Sequence, residues 1–266
     1  MGSFSLFYII SVTALLFQHS IAQYDNVYQQ RYYMYRIPSN TYSPRTTLRR
    51  AYFPVTVDED PLKLASTSSD GRYVPSADAK KVSLDVYYET DCPDSMRFIT
   101  HQLYPMFQEM EDIVDIKLVP YGKASENFNE VTRKYDFRCH HGPSECYGNT
   151  IQSCVISMYP ETKDHLGFIN CMESYPRPSH NGHKCARRHS MDWRRIEKCA
   201  TSDEGSRLLH ENAQLTENLS PSLYFVPWIV VDKVFTSTTH RSALRDLKTV
   251  VCNAYRGSHP KCSNKY

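Results

Sequence analysis

The chemistry in this chain is read first at Asp91-Cys92-Pro93-Asp94-Ser95. An alternating apolar run, Val82 to Tyr88, leads into Cys92, and a helical pattern from Met96 to Met110 leads away from it. A cysteine that ends a strand and opens a helix is placed for thiol chemistry, because unpaired N–H groups at a helix start favour the thiolate. A dithiol redox pair needs a second cysteine three residues on, and that position holds Ser95. Asp91, Asp94 and, further off, Glu89 add negative charge that opposes thiolate formation. A thiol with an ordinary pKa near 8.5 is ionised to only about one part in ten thousand at pH ~4.5.

Eight other cysteines follow: Cys139, Cys146, Cys154, Cys171, Cys185, Cys199, Cys252 and Cys262. Eight suffice for four disulfides, with 105 possible pairings and no way to choose among them from sequence. The densest segment is Cys139-His140-His141-Gly142-Pro143-Ser144-Glu145-Cys146, continuing through Asn149 to Cys154. Zinc would be the other use of such residues. However, the gaps between these cysteines are not the short pairs zinc sites use, so disulfides are expected and no metal is. Nothing in the sequence marks a cofactor site.

The elements that position Cys92 can be read from periodicity. Val82, Leu84, Val86 and Tyr88 alternate with Ser83, Asp85 and Tyr87, which predicts a strand with one buried face. Ile99, Leu103, Met106 and Met110 then share a helix face, with a kink expected at Pro105. Ile113 to Val119 alternates again. From about 125 to 219 the alternation gives way to short helical patterns and Pro/His/Gly loops, and Glu204 to Leu215 reads as a helix with Leu208, Leu209 and Leu215 inward. Strand character returns at Tyr224 to Val231. Asp232-Lys233 reads as a hairpin turn into Val234-Phe235, and a last helix, Arg241 to Tyr255, turns Leu244, Leu247, Val251 and Ala254 inward. This order predicts an α/β protein with a thioredoxin-like fold and a disulfide-rich helical insertion.

Before that domain (81–266) stand two other segments. Phe4 to Phe17 is apolar, too short to span a bilayer, and followed by small residues at Ser20-Ile21-Ala22, so residues 1–22 read as a signal peptide. Residues 23–80 interleave Tyr24, Tyr28, Tyr32 and Tyr33 with Arg31, Arg36, Arg45 and Arg49, broken by prolines. They read as a disordered arm able to stack on and pair with an anionic surface, or as a propeptide cut after Arg49-Arg50. The 266 residues carry a formal charge of +2, which gives no general attraction to nucleic acid. No later segment is long and apolar enough for a membrane span. Lys184, Arg187, Arg188, Arg194, Arg195 and Lys198 form either an anion-binding patch or a solvated helix face. Asn218-Leu219-Ser220 is the one glycosylation sequon, followed by Pro221.

The Cys139–Cys154 segment closely resembles the signature of the gamma-interferon-inducible lysosomal thiol reductase family: Cys-Gln-His-Gly, two residues, Glu-Cys, two residues, Asn, four residues, Cys. Cys139, His141, Gly142, Glu145, Cys146, Asn149 and Cys154 match, and His140 replaces the glutamine. The likeness extends to Leu118–Gly122, Cys171-Met172-Glu173, Asn212-Ala213-Gln214, Val226-Pro227-Trp228, Cys252 and Cys262. The pattern is that of an insect-like secreted member with a Cys-x-x-Ser active site. Family members are thioredoxin-like, reduce protein disulfides at acid pH in endosomes and lysosomes, and can be secreted as precursors.

Their active Cys-x-x-Cys falls on Cys92 and Ser95. Cys92 thus inherits the nucleophile's role, while Ser95 occupies the resolving position and cannot release a mixed disulfide. The resemblance also implies a cis bond at Val226-Pro227, in a loop that offers backbone to an extended substrate. It leads to the expectation of an exported, extracellular protein whose dithiol cycle is lost or impaired. Such a protein binds partner proteins or a cell surface, or exchanges through Cys92 alone. The alternative is an endosomal or lysosomal reductase served by an external thiol.

Overall fold

The computed structural model describes residues 79–262. The expected signal peptide and all but the last two residues of the Tyr/Arg arm lie outside them. The central strand β1 (Val82–Tyr88) pairs in parallel with β2 (Val114–Pro120) and antiparallel with β5 (Trp228–Val231), giving the order β2-β1-β5. Between β1 and β2 run α1 (Pro93–Phe98), a π-helical turn (Ile99–Leu103) and α2 (Tyr104–Met110), one continuous helical segment. The irregularity lies in that π turn, ahead of Pro105. Pro105 itself stands at the start of α2, where its missing N–H costs nothing.

β1 was expected to bury one face and instead buries both. Val82, Leu84, Val86 and Tyr88 join the main core with Phe98, Leu103, Ile229 and Leu247. On the other face, Tyr87 packs with Val119, Trp228 and Val230, and Asp85 is covered because Lys233 Nζ donates to both its oxygens at 2.8 and 2.9 Å. Leu219, Leu223, Phe225 and Phe235 pack over this second face, so the strand is covered on both faces whatever its alternation suggests.

The insertion begins with a hairpin, β3 (Ser125–Asn129) and β4 (Lys134–Arg138), where only helices and loops were expected. Its residues carry no buried apolar face: Phe128, Tyr135 and Phe137 are only half-buried. Five helices follow: α3 (Pro143–Met158), α4 (Thr162–Glu173), α5 (Gly182–Arg188), α6 (Trp193–Ala200) and α7 (Asp203–Glu217). Cys154–Cys199 ties α3 to α6, and Cys171–Cys185 ties α4 to α5. Closing a 45-residue separation is worth about 4 kcal/mol in the chain-entropy account. In α7, Leu209 and Ala213 point inward, but Leu215 is 37% exposed, because the helix buries the Gly205–Leu209–Ala213–Thr216 stripe instead.

After the insertion, Tyr224 to Val226 forms no strand, and the expected hairpin shrinks to one bridge between Val231 and Val234. The turn itself is as expected, with Asp232 and Lys233 both at positive φ (48° and 64°). The last helix, α8 (Ser237–Ala254), breaks at Asp246 (φ −153°, ψ 79°). The buried stripe His240–Ala243–Leu247–Val250–Val251 runs unshifted across the break, and Leu244, at the edge of that stripe, is 38% exposed. Gln102, in the π turn, meets this break: its Oε1 accepts the Leu247 N–H at 3.1 Å. Cys252–Cys262 fastens the following segment to α8.

Candidate functional site

Cys92 is the N-cap residue of α1 and is 8% exposed. It is the one free cysteine of the nine; the other eight form four disulfides, including Cys139–Cys146. Ser95 is fully buried one turn into α1, and its Oγ accepts the Glu89 N–H at 3.4 Å. Burial pushes the Cys92 thiol pKa up. The Ser95 backbone N–H and hydroxyl and the Asp94 backbone N–H pull it back down, and the Glu89 charge raises it again, for a net upward shift. The carboxylate acting on the sulfur is therefore Glu89, which the sequence placed as the more distant one. The Asp91 carboxylate is engaged elsewhere, with its Oδ2 accepting from Ser144 Oγ at 2.9 Å.

The signature segment builds the floor under this loop. Asn149 Oδ1 accepts both the Thr90 N–H (2.9 Å) and the Thr90 hydroxyl (2.6 Å), fixing the backbone two residues before the thiol. Gly148 lets α3 come this close, since a Cβ there would stand 2.7 Å from Thr90 Cγ2. Glu145 Oε1 accepts the His141 N–H at 3.0 Å, and its Oε2 lies 2.5 Å from His141 Nδ1, closing the turn that the Cys139–Cys146 bridge also holds. Tyr88 donates to Gln152 Oε1 at 2.5 Å, and Gln152 donates to Glu173 Oε1 at 2.6 Å.

Glu173 and Glu145 are both buried, and burial raises both carboxyl pKa values, Glu173 well above the usual range. Glu89 is buried as well. The turn at Gly122 (φ +63°) makes room for it, because a Cβ there would collide with Glu89 Cγ. These supporting roles of Glu89, Thr90, Gln152 and Glu173 were not read from sequence. Tyr121-Gly122 and Glu173 stood within the family-like stretches, which was the available signal.

On the opposite side, register places Pro227 level with Tyr88, at the end of β1 that leads to Cys92. The Val226-Pro227 bond is cis, and both residues are buried. Behind it, Trp228 stacks on Phe235 (3.6 Å between centroids) and packs with Phe225 and His240. Burial first, and then Arg241, lower the His240 pKa to about 4.

The remaining candidates sit apart from this floor. Asn218 is exposed at the end of α7, and the Ser220-Pro221 bond after it is also cis. Lys184, Arg187, Arg188, Arg194, Arg195 and Lys198 are exposed on α5 and α6. A cleft of about 290 Å³, bordered by Ser144, Tyr147, His180 and Trp193, opens beside α3.

A parallel strand–helix–strand unit, an antiparallel third strand, a cysteine opening the first helix and a cis-proline turn at the same end of the sheet define a thioredoxin-like fold. The family profile of the gamma interferon inducible lysosomal thiol reductase (GILT) matches residues 83–189. GILT-like protein 1 of Drosophila melanogaster is 35% identical over 205 residues, covering 71% of this chain and 80% of that protein. The gamma-interferon-inducible lysosomal thiol reductase of Carassius auratus is 36% identical over 185 residues, covering 68% and 72%. Among solved structures, Chlamydia trachomatis DsbA is similar at 13% identity with a TM-score of 0.45, covering 59% of this chain and 79% of that one. The chain belongs to the GILT family.

Proposed function

We propose that this protein is an exported GILT-family member whose two-thiol reductase cycle is broken, and that it acts through binding and single-thiol exchange at Cys92. One observation carries this reading. Ser95 is buried where the resolving thiol belongs, and every other cysteine is already in a disulfide, so no second thiol is at hand. Attack by the Cys92 thiolate on a substrate disulfide forms one mixed S–S bond and expels one substrate thiolate. Release then needs a second thiolate from outside, such as glutathione, which takes over the sulfur bond and returns Cys92 as a thiol. The upward shift at Cys92 supports slow attack as well.

The Val226-Pro227 loop is the proposed seat of an extended partner peptide, and partner proteins or a cell surface are the proposed targets, with the Tyr/Arg arm contributing. Export is supported by the apolar leader and the four disulfides. A glycan on Asn218 belongs to the same proposal.

Turnover of a protein disulfide at pH ~4.5 and ~7, with and without glutathione, tests the reading. The expected result is no multiple turnover without glutathione, and its gain in Ser95→Cys. Glutathione-independent turnover that Cys92→Ser abolishes would instead make this chain a working reductase and overturn the proposal.

A further inference from the structure

Within the Cys139–Cys154 signature His140 replaces a glutamine, and it lies against the buried carboxylate of Glu89. Glu89 is 0% exposed, and its Oε1 accepts the Lys123 N–H at 2.7 Å. Its Oε2 has no hydrogen-bond partner. That orphaned oxygen stands 3.4 Å from His140 Nδ1 and 3.4 Å from His141 Nδ1. The three ligand atoms all lie within 4.8 Å of one another. In a tetrahedral zinc site, ligands about 2.0–2.1 Å from the ion stand roughly 3.3–3.4 Å from each other. The two measured edges already have that length.

We propose that Glu89, His140 and His141 form a binding site for a divalent cation of the zinc type, beside Cys92. Two imidazoles and one carboxylate are a donor set that suits zinc with a fourth position left open. His140 is half-exposed (51%) and His141 one-third exposed (32%), which gives an ion a path to the buried oxygen. Zinc needs the lone pair of His141 Nδ1, so that nitrogen gives up its contact with Glu145 Oε2, 2.5 Å away, and any proton between them stays on the Glu145 carboxyl. The cysteines take no part, since eight are in disulfides. Spacing rules for cysteine pairs miss the site because Glu89 is remote in sequence and the two histidines are adjacent. With glutamine at position 140, as in the family signature, one imidazole is missing and the set is incomplete.

The test is calorimetric titration of the full, disulfide-oxidised chain with zinc chloride at pH 7, which does not depend on any turnover. One equivalent should bind, at least tenfold more weakly in His140→Gln and in His141→Gln, and unchanged in His101→Ala, outside the cluster. Because the His140 side chain is half-exposed, His140→Gln leaves the fold in place. Cobalt(II) in place of zinc should give a strong visible absorption of a tetrahedral centre in the native chain and not in His140→Gln. The proposal is overturned if no saturable binding appears below ~1 mM metal. It is equally overturned if His140→Gln binds as the native chain does, or if alkylating Cys92 abolishes binding.

Discussion

On the side of Cys92 that α3 supplies, the buried groups are polar: Glu145, Asn149, Gln152 and, from α4, Glu173. On the side that β5 supplies they are aromatic: buried Trp228, stacked on half-buried Phe235 beside half-buried Phe225, and the neutral-favouring His240. The first side holds the loop by directed hydrogen bonds and is stapled by Cys139–Cys146 and Cys154–Cys199. The second holds it by contact area, with no disulfide among its residues. Polar groups buried without water must be satisfied one by one, whereas aromatic faces need only fit. The two sides also answer acid in opposite directions, so one site combines an acid-favoured floor with an acid-weakened wall.

The largest effect is expected on the aromatic side. Trp228→Ala should cost about 3–5 kcal/mol in denaturant unfolding, since it empties a fully buried site and unstacks Phe235. A loss under ~1 kcal/mol would mean the wall is not held by packing. Next, Asn149→Ala leaves the Thr90 N–H and hydroxyl without their acceptor and should cost about 2–3 kcal/mol. It should also raise hydrogen exchange at the Thr90 amide while exchange in β5 stays as it was.

The pH responses come third. Folding raises the Glu173 pKa above its unfolded value near 4.5, so its contribution is complete below that pH and is lost as pH rises through the folded pKa. Glu173→Gln should therefore raise the thermal midpoint by a few degrees at pH 7 and change it little at pH ~4. The smallest effect concerns His240, whose pKa falls from 6.5 to about 4 on folding. Its contribution is present above pH 6.5 and lost as pH falls through about 4. His240→Leu should flatten the acid limb of the stability curve without abolishing it, because buried His165 is lowered too. An unchanged acid limb would remove His240 as the source of the wall's acid sensitivity.

Much of the frame was legible because period and chemistry agreed there. The β1 alternation led straight to Cys92, and Asp232-Lys233 announced its turn. The β3–β4 hairpin was hidden, since Ser125-Glu126-Asn127-Phe128-Asn129 has no core to face and so leaves no apolar signal. Leu244 was misplaced because the core-facing stripe of α8 is centred on Ala243 and Leu247, which leaves Leu244 at its edge. At the site, Cys92, Ser95 and the matching signature residues were recognisable one at a time. Which carboxylate's charge reaches the thiol was not, because the buried place of Glu89 depends on the turn at Gly122, where a Cβ would collide with its Cγ.

The contact between Gln102 and Leu247 has a consequence at the other end of its helical segment. Two defects meet there: the π turn leaves the regular path of one helix, and the break at Asp246 frees an amide in the other. Each irregularity fits the other as a key fits a lock, and only at one axial offset. Sliding the thiol-bearing helix by a single residue would withdraw the Gln102 oxygen from the Leu247 amide. The height of Cys92 above the sheet is thus indexed by a notch in the last helix.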